Sequence, residues 1–204
     1  TPASASLLAT LSGEIGLPPG VLNVVHGIGA DVGDALIDDP RVRAASFTGS
    51  TAVGRRIGAR TGAQLKKASL ELGGKNATLV FADSEWESQL ASLVRSAFQN
   101  AGQICLCGSR ILVERSIYAN FRERFVAEVL ALQVGDPMDP DARMGPLVSQ
   151  AHHDKVLAAI TRARDGGGHV LCGGHALERP GWFVAPTVID GLGPDCATNR
   201  EEIF

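Results

Sequence analysis

The stretch VRAASFTGSTAVGRRIGARTGAQLKKASLELGGKN, Val42 to Asn76, decides the fold class. Val42–Ser50 reads as a short strand that opens onto Gly-Ser-Thr. Thr51–Gly62 reads as a helix. Leu65–Asn76 is a second strand running into a Gly-Gly turn. Strand, helix and strand with glycine turns between them make the unit of a parallel sheet with a crossover helix.

The same alternation extends in both directions. Upstream, Ser4–Gly16 has apolar residues at helical spacing and a glycine stop. The apolar run Val21–Val25 predicts a buried strand, and Asp31–Pro40 a short helix ended by Asp-Asp-Pro. Downstream, Ala77–Ser84 predicts a strand, with Asp83-Ser84 as cap of the next helix. That helix, Glu85–Gly102, leads into the strand Ser109–Ser116. A further helix, Ile117–Gly135, has apolar residues at Phe121, Phe125, Val129 and Leu132. An amphipathic helix, Gln150–Gly168, precedes two short strands within His169–Gly174 and Trp182–Asp190. There is no internal repeat and no low-complexity linker.

Composition narrows the class. The 204 residues are 45% hydrophobic and 20% charged, with a formal net charge of −3, which suits a globular protein. Basic residues are dispersed, so no nucleic-acid footprint is expected. No apolar run approaches the roughly 18 residues of a membrane helix. The N-terminal stretch lacks the basic flank of a signal peptide. Of the four cysteines, Cys105 and Cys107 are too close for an ordinary bridge, and Cys172 and Cys196 are isolated. A secreted disulfide framework is therefore not expected, and a cytoplasmic location is. The chain starts with Thr1 and stops at NREEIF, which reads as a piece of something longer.

Four segments could carry chemistry. HGIGADVG places Gly27, Gly29 and Gly33 before a helix, where an anion could bind. Their spacing departs from Gly-x-Gly-x-x-Gly, and an ordinary turn reads as well. FTGSTAVG offers Gly49, Ser50 and Thr51 at a helix start, with Gly54 one turn in. It is either a phosphate cradle or a plain Ser/Thr N-cap. Glu71 ends a strand at the edge where α/β folds bind ligands. A partly desolvated carboxylate there can act as a general base, and the bland alternative is a surface Glu before a turn. Finally, GQICLCGSR carries Cys105 and Cys107. A nucleophile needs exposure and thiolate character. Zinc clips favour longer spacing than one residue, and no second His or Cys pair completes a set. Buried packing is the remaining reading, expected for Cys107, Cys172 and Cys196.

Taken in order, FTGSTAVG, LELGGKN and FQNAGQICLCGSR resemble the aldehyde dehydrogenase superfamily. Phe98, Gly102, Gln103 and Cys105 match its cysteine signature, and Glu71 through Lys75 its glutamate signature. VGDPMDPDARMGPLVS, GGHALERPGWFVAPTVI and EEIF extend the resemblance along the chain. The resemblance implies an α/β fold: the second half of a variant Rossmann cofactor domain in 1–72, then most of an α/β catalytic thiol domain in 73–204. It implies Cys105 as nucleophile and Glu71 as general base. It places Gly49 and Ser50 at the cofactor pyrophosphate, with Gly54 on the same helix. Gly29 and Gly33 fall at the adenine end and Leu72 by the nicotinamide. Glu202 would hold the nicotinamide ribose, with Phe204 packed nearby. The implied cofactor is NAD, with NADP possible, and the implied partner a small-molecule aldehyde. No metal, nucleic acid or membrane is implied. The full-length parent is expected to be a homo-oligomer, dimer or tetramer. The family's Lys-Pro-x-Glu segment and an oxyanion-holding Asn would precede Thr1.

GQICLCGSRILVERSIY is most similar to the 2-hydroxymuconic and 2-aminomuconic semialdehyde dehydrogenases, where Cys-Leu-Cys recurs. Three alternatives stay open: a CoA-acylating aldehyde dehydrogenase, a truncated inactive fragment, and a thiol-redox or metal protein using Cys105 with Cys107.

Overall fold

The computed structural model describes residues 2–204. The chain divides into two compact units, the first running to Gly73 and the second spanning Gly74–Phe204.

The first unit is built around the predicted strand-helix-strand. Strands β1 (Ala44–Gly49) and β2 (Lys67–Leu72) pair in parallel, Thr48 opposite Glu71 and Gly49 opposite Leu72. Helix α3 (Thr51–Ala63) makes the crossover. It buries Gly54, Ile57 and Thr61, one face at helical spacing. The buried Thr61 hydroxyl donates to the Ile57 carbonyl at 2.9 Å, so its polarity is satisfied within the helix. A Cβ on Gly54 would overlap the Leu72 side chain, so glycine is what lets α3 lie this close to β2.

Two further helices complete the unit, α1 (Pro2–Glu14) and α2 (Gly29–Asp38). Arg60 on α3 reaches Asp34 at 2.8 Å and also pairs with Asp38. Lys66 donates to the carbonyls of Ile37 (2.5 Å) and Asp39 (2.7 Å), closing the C-terminal end of α2 with a cation. The Val21–Val25 run does not form the expected strand. It has no pairing partner, and Val21 and Val25 stay more than half exposed. An apolar run becomes a strand only where another strand takes its backbone groups. The glycines after it therefore follow a loop.

The second unit opens with another crossover. Strands β3 (Ala77–Val80) and β4 (Arg110–Val113) pair in parallel around helix α4 (Trp86–Phe98). Helix α5 (Tyr118–Leu130) packs on α4. Trp86 meets Phe121 edge-on at 5.5 Å, and Phe121 stacks on Phe125 at the same distance. Each such pair adds about 1 kcal/mol beyond its area. Val80, Leu90, Val94, Val129 and Cys172 complete this core. The cap expected from Asp83-Ser84 is not made. The Ser84 hydroxyl donates back to the Phe81 carbonyl at 2.6 Å, and Glu85 stands at the N-cap without a side-chain bond. The helix starts one residue later than that cap requires, so Ser84 precedes the N-cap and its hydroxyl serves a local turn.

Helix α6 (Gln150–Asp165) is capped by Ser149, whose side chain accepts from the His152 amide. The antiparallel pair β5 (His169–Cys172) and β6 (Val188–Asp190) and the short α7 (Ala197–Arg200) finish the chain. Asp190 ties β6 to α5 by accepting from the Tyr118 hydroxyl at 2.8 Å and from Arg122. The described residues thus hold three two-stranded sheets, two parallel and one antiparallel. Among them no helix is long and apolar enough to cross a membrane.

Candidate active site

Helix α4 stops at Phe98, earlier than the expected Gly102, and the reason is in the backbone. Asn100 (φ 53°), Ala101 (φ 56°) and Gly102 (φ 76°) are consecutive residues in the left-handed region. Left-handed conformation at non-glycine residues costs roughly 1–2 kcal/mol each and persists only where the surroundings hold it. Gln103 does the holding. Its side-chain amide donates to the Asn100 carbonyl at 3.1 Å, and its side-chain oxygen accepts from the Val148 amide at 3.0 Å. Asn100 returns a bond to the Gln103 carbonyl at 3.1 Å. The Gly-Gln pair of the motif is thus the brace of a left-handed turn.

The two cysteines follow in a second turn. The Cys107 amide donates to the Ile104 carbonyl at 3.0 Å, which leaves Cys105 and Leu106 at the tip. Cys105 is exposed and Cys107 buried. Burial pushes the Cys107 thiol above its ordinary pKa, while its S–H faces the Gln99 carbonyl at 3.9 Å. The tip is pinned from outside the motif. Asn76 Nδ2 donates to the carbonyls of both Cys105 (2.6 Å) and Cys107 (3.2 Å). Sequence reasoning missed Asn76 and Val148, because no spacing rule marks a side-chain or backbone group that bonds a loop far away in the chain.

Cys105 opens on a cavity of about 600 Å³ that lies wholly in the second unit. Lys75, Asn76, Arg110, Glu202 and Phe204 also line it. Arg110 donates to the Lys75 carbonyl at 2.5 Å, and its Nε is buried with no hydrogen-bond partner among the described residues. Burial, then the Arg110 charge, holds Lys75 below its ordinary pKa, and Cys196 and Glu202 partly oppose them. The Phe204 carbonyl meets His152 Nε2 at 2.7 Å. Among the described residues no group of three or more His, Cys, Asp or Glu is placed to hold a metal ion.

The remaining candidates lie in the first unit. Gly49, Ser50 and Leu72 gather at the C-terminal edge of β1 and β2. Ser50 caps α3, its oxygen accepting from the Val53 amide at 3.4 Å. The amides of Thr51 and Ala52 precede the helical ladder and have no carbonyl one turn back. Gly54 faces Leu72. Gly29 and Gly33 lie on α2, a different helix, whose start carries no side-chain cap. Glu71 is exposed. Strand alternation explains this: Leu70 and Leu72 turn toward α3, so the residue between them turns away.

The chain is matched over residues 1–204 by the model of the aldehyde dehydrogenase family. A betaine aldehyde dehydrogenase of Cereibacter sphaeroides is 45% identical over 204 residues, covering all of this chain and 42% of the relative. A 2-aminomuconic semialdehyde dehydrogenase of Danio rerio is 45% identical over 211 residues, covering all of this chain and 43% of the relative. Among solved structures, PnpE in complex with nicotinamide adenine dinucleotide is 42% identical with a TM-score of 0.96, covering 100% of this chain and 42% of that one. PnpE has also been solved from Pseudomonas sp. WBC-3. The chain belongs to the aldehyde dehydrogenase family and has its α/β fold. It spans about 42% of the length of the curated relatives it matches.

Proposed function

We propose that the protein to which these residues belong oxidises an aldehyde to a carboxylate, with Cys105 as nucleophile, Glu71 as general base and NAD as cofactor. One observation carries the reading: an exposed Cys105 on a braced turn at a cavity, in a chain matched throughout by this family. The first unit is then the second half of the cofactor domain, and the second unit most of the catalytic domain.

The cofactor is supported by relatives whose structures hold it, PnpE and the betaine aldehyde dehydrogenase of Staphylococcus aureus. The residues present fit such a group. Gly49, exposed Ser50 and the unpaired Thr51 and Ala52 amides offer a helix N-terminus to a pyrophosphate. Gly54 and Leu72 belong to the same edge. Gly29 and Gly33 are assigned to the adenine end, Glu202 and Phe204 to the nicotinamide ribose. When bound, the nicotinamide supplies the acceptor for the hydride leaving the substrate carbon.

The chain's own residues do the rest. The Cys105 thiolate adds to the carbonyl carbon, forming a C–S bond and an oxyanion. The Cys105 backbone N–H is the donor assigned to that oxyanion. At the acyl stage Glu71 takes a proton from water, the water attacks, and the C–S bond breaks to return the thiolate. Glu71 also favours water over CoA as acyl acceptor.

The proposed substrate is a muconic-type semialdehyde. The Cys-Leu-Cys segment and the 2-aminomuconic semialdehyde dehydrogenases among the relatives support it. Betaine aldehyde is the second reading, because relatives of that name reach the same identity. The test assays the full-length protein with each aldehyde and NAD, with and without CoA, following reduced cofactor. The expected result is CoA-independent oxidation with higher kcat/KM for the semialdehyde. Activity retained in Cys105→Ser, or no oxidation of either aldehyde, overturns the reading.

A further inference from the structure

Lys75 lines the cavity on which Cys105 opens, and the aldehyde oxidation gives it no part. Its backbone is held from two sides. The next residue, Asn76, donates from Nδ2 to the Cys105 carbonyl at 2.6 Å, and Arg110 donates to the Lys75 carbonyl at 2.5 Å. The root of the lysine side chain is thereby tied to the turn that carries the thiol. Among the described residues no carboxylate forms an ion pair with Lys75 or with Arg110. Burial, and then the Arg110 charge, hold the Lys75 amine below its ordinary pKa, with Cys196 and Glu202 partly opposing. A lysine amine is a nucleophile only once it has lost its proton, and desolvation beside a second cation favours that loss. The other lysines of the chain stand differently. Lys67 and Lys155 are exposed, and Lys66 is bonded to two backbone carbonyls.

We propose that Lys75 is a second aldehyde-reactive group of this cavity, whose amine condenses reversibly with an aldehyde to form an imine. The aldehyde as reactant rests on the oxidation proposed above, whereas the amine chemistry itself needs neither Cys105 nor NAD. The neutral Lys75 nitrogen adds to the carbonyl carbon, and a C–N bond forms. The former carbonyl oxygen then leaves as water, taking both amine protons, and a C=N bond remains. No electrons are gained or lost, and water reverses the step. An aldehyde held in this way occupies the cavity beside Cys105 without being oxidised.

The experiment incubates the full-length protein with propanal and sodium cyanoborohydride, without NAD, and maps the peptides by mass. Cyanoborohydride delivers hydride to the imine carbon and fixes it as a secondary amine. The expected product is an N-propyl group on Lys75, formed several-fold faster than on the exposed Lys67 and Lys155. Cys105→Ser should still be labelled at Lys75, because the thiol takes no part. Wild-type protein in which Lys75 stays unlabelled, or is labelled no faster than Lys67 and Lys155, overturns the proposal. That reading needs only the wild type, so misfolding of a variant does not obscure it. Aldehyde oxidation without a Lys75 label overturns the capture and leaves the oxidation standing. A Lys75 label in a protein that oxidises no aldehyde supports the capture and overturns the oxidation.

Discussion

The β1-α3-β2 and β3-α4-β4 segments are the same supersecondary unit, a parallel pair with a 13-residue crossover helix, packed in opposite ways. Helix α3 buries two small residues, Gly54 and Thr61, beside Ile57 and lies close against Leu70 and Leu72. Its N-terminus follows β1 directly and is capped by Ser50. Helix α4 buries Trp86, Leu90 and Val94 and stacks on a second helix. At its C-terminal exit, left-handed residues turn the chain toward Cys105. Small residues allow close approach of helix to sheet, whereas large ones build a core firm enough to hold a strained loop.

The comparison breaks or sharpens at four residues. Replacing Cys105 by Ser should lower kcat by on the order of 10⁴-fold or more, since a nucleophile is removed outright. Steady-state production of reduced cofactor measures it, and near-normal turnover would move the chemistry away from the α4 exit. Glu71→Gln should lower kcat by roughly 10²- to 10³-fold, within the range for a general base. A stopped-flow burst of reduced cofactor should survive, because only acyl release is slowed. Loss of the burst along with turnover would place Glu71 before that stage.

Asn76→Ala removes both bonds to the cysteine turn. We expect about a 10- to 100-fold fall in kcat with little change in KM, as misplacement of a nucleophile costs. A rise in KM alone would make Asn76 a binding group rather than a positioning one. The smallest effect belongs to the first unit. Ser50→Ala should cost about 1 kcal/mol of stability through the lost cap. Urea unfolding reads that loss, and an unchanged midpoint would show that the 3.4 Å bond to Val53 contributes nothing.

Much of this molecule is legible in its sequence. The β1-α3-β2 unit followed from strand-length apolar runs and glycine turns around a helical stretch, because these are local patterns. The α5 face of Phe121, Phe125 and Val129 followed from helical spacing for the same reason. The failures were also local patterns, overruled by their surroundings. Val21–Val25 has strand composition without a strand beside it. Ser84 has capping chemistry but stands one residue before the N-cap.

By itself, the sequence determined the family, the alternation of elements and the order of its motifs, all carried by residue type and spacing. Motif spacing already set Cys105 apart from Cys107, which was expected to pack. How the fold makes that difference, exposing one and burying the other, only the tertiary structure decided. That difference comes from a turn braced by Gln103 to Val148 and pinned by Asn76. Those contacts cross 45 and 29 residues of chain, a distance no local pattern spans.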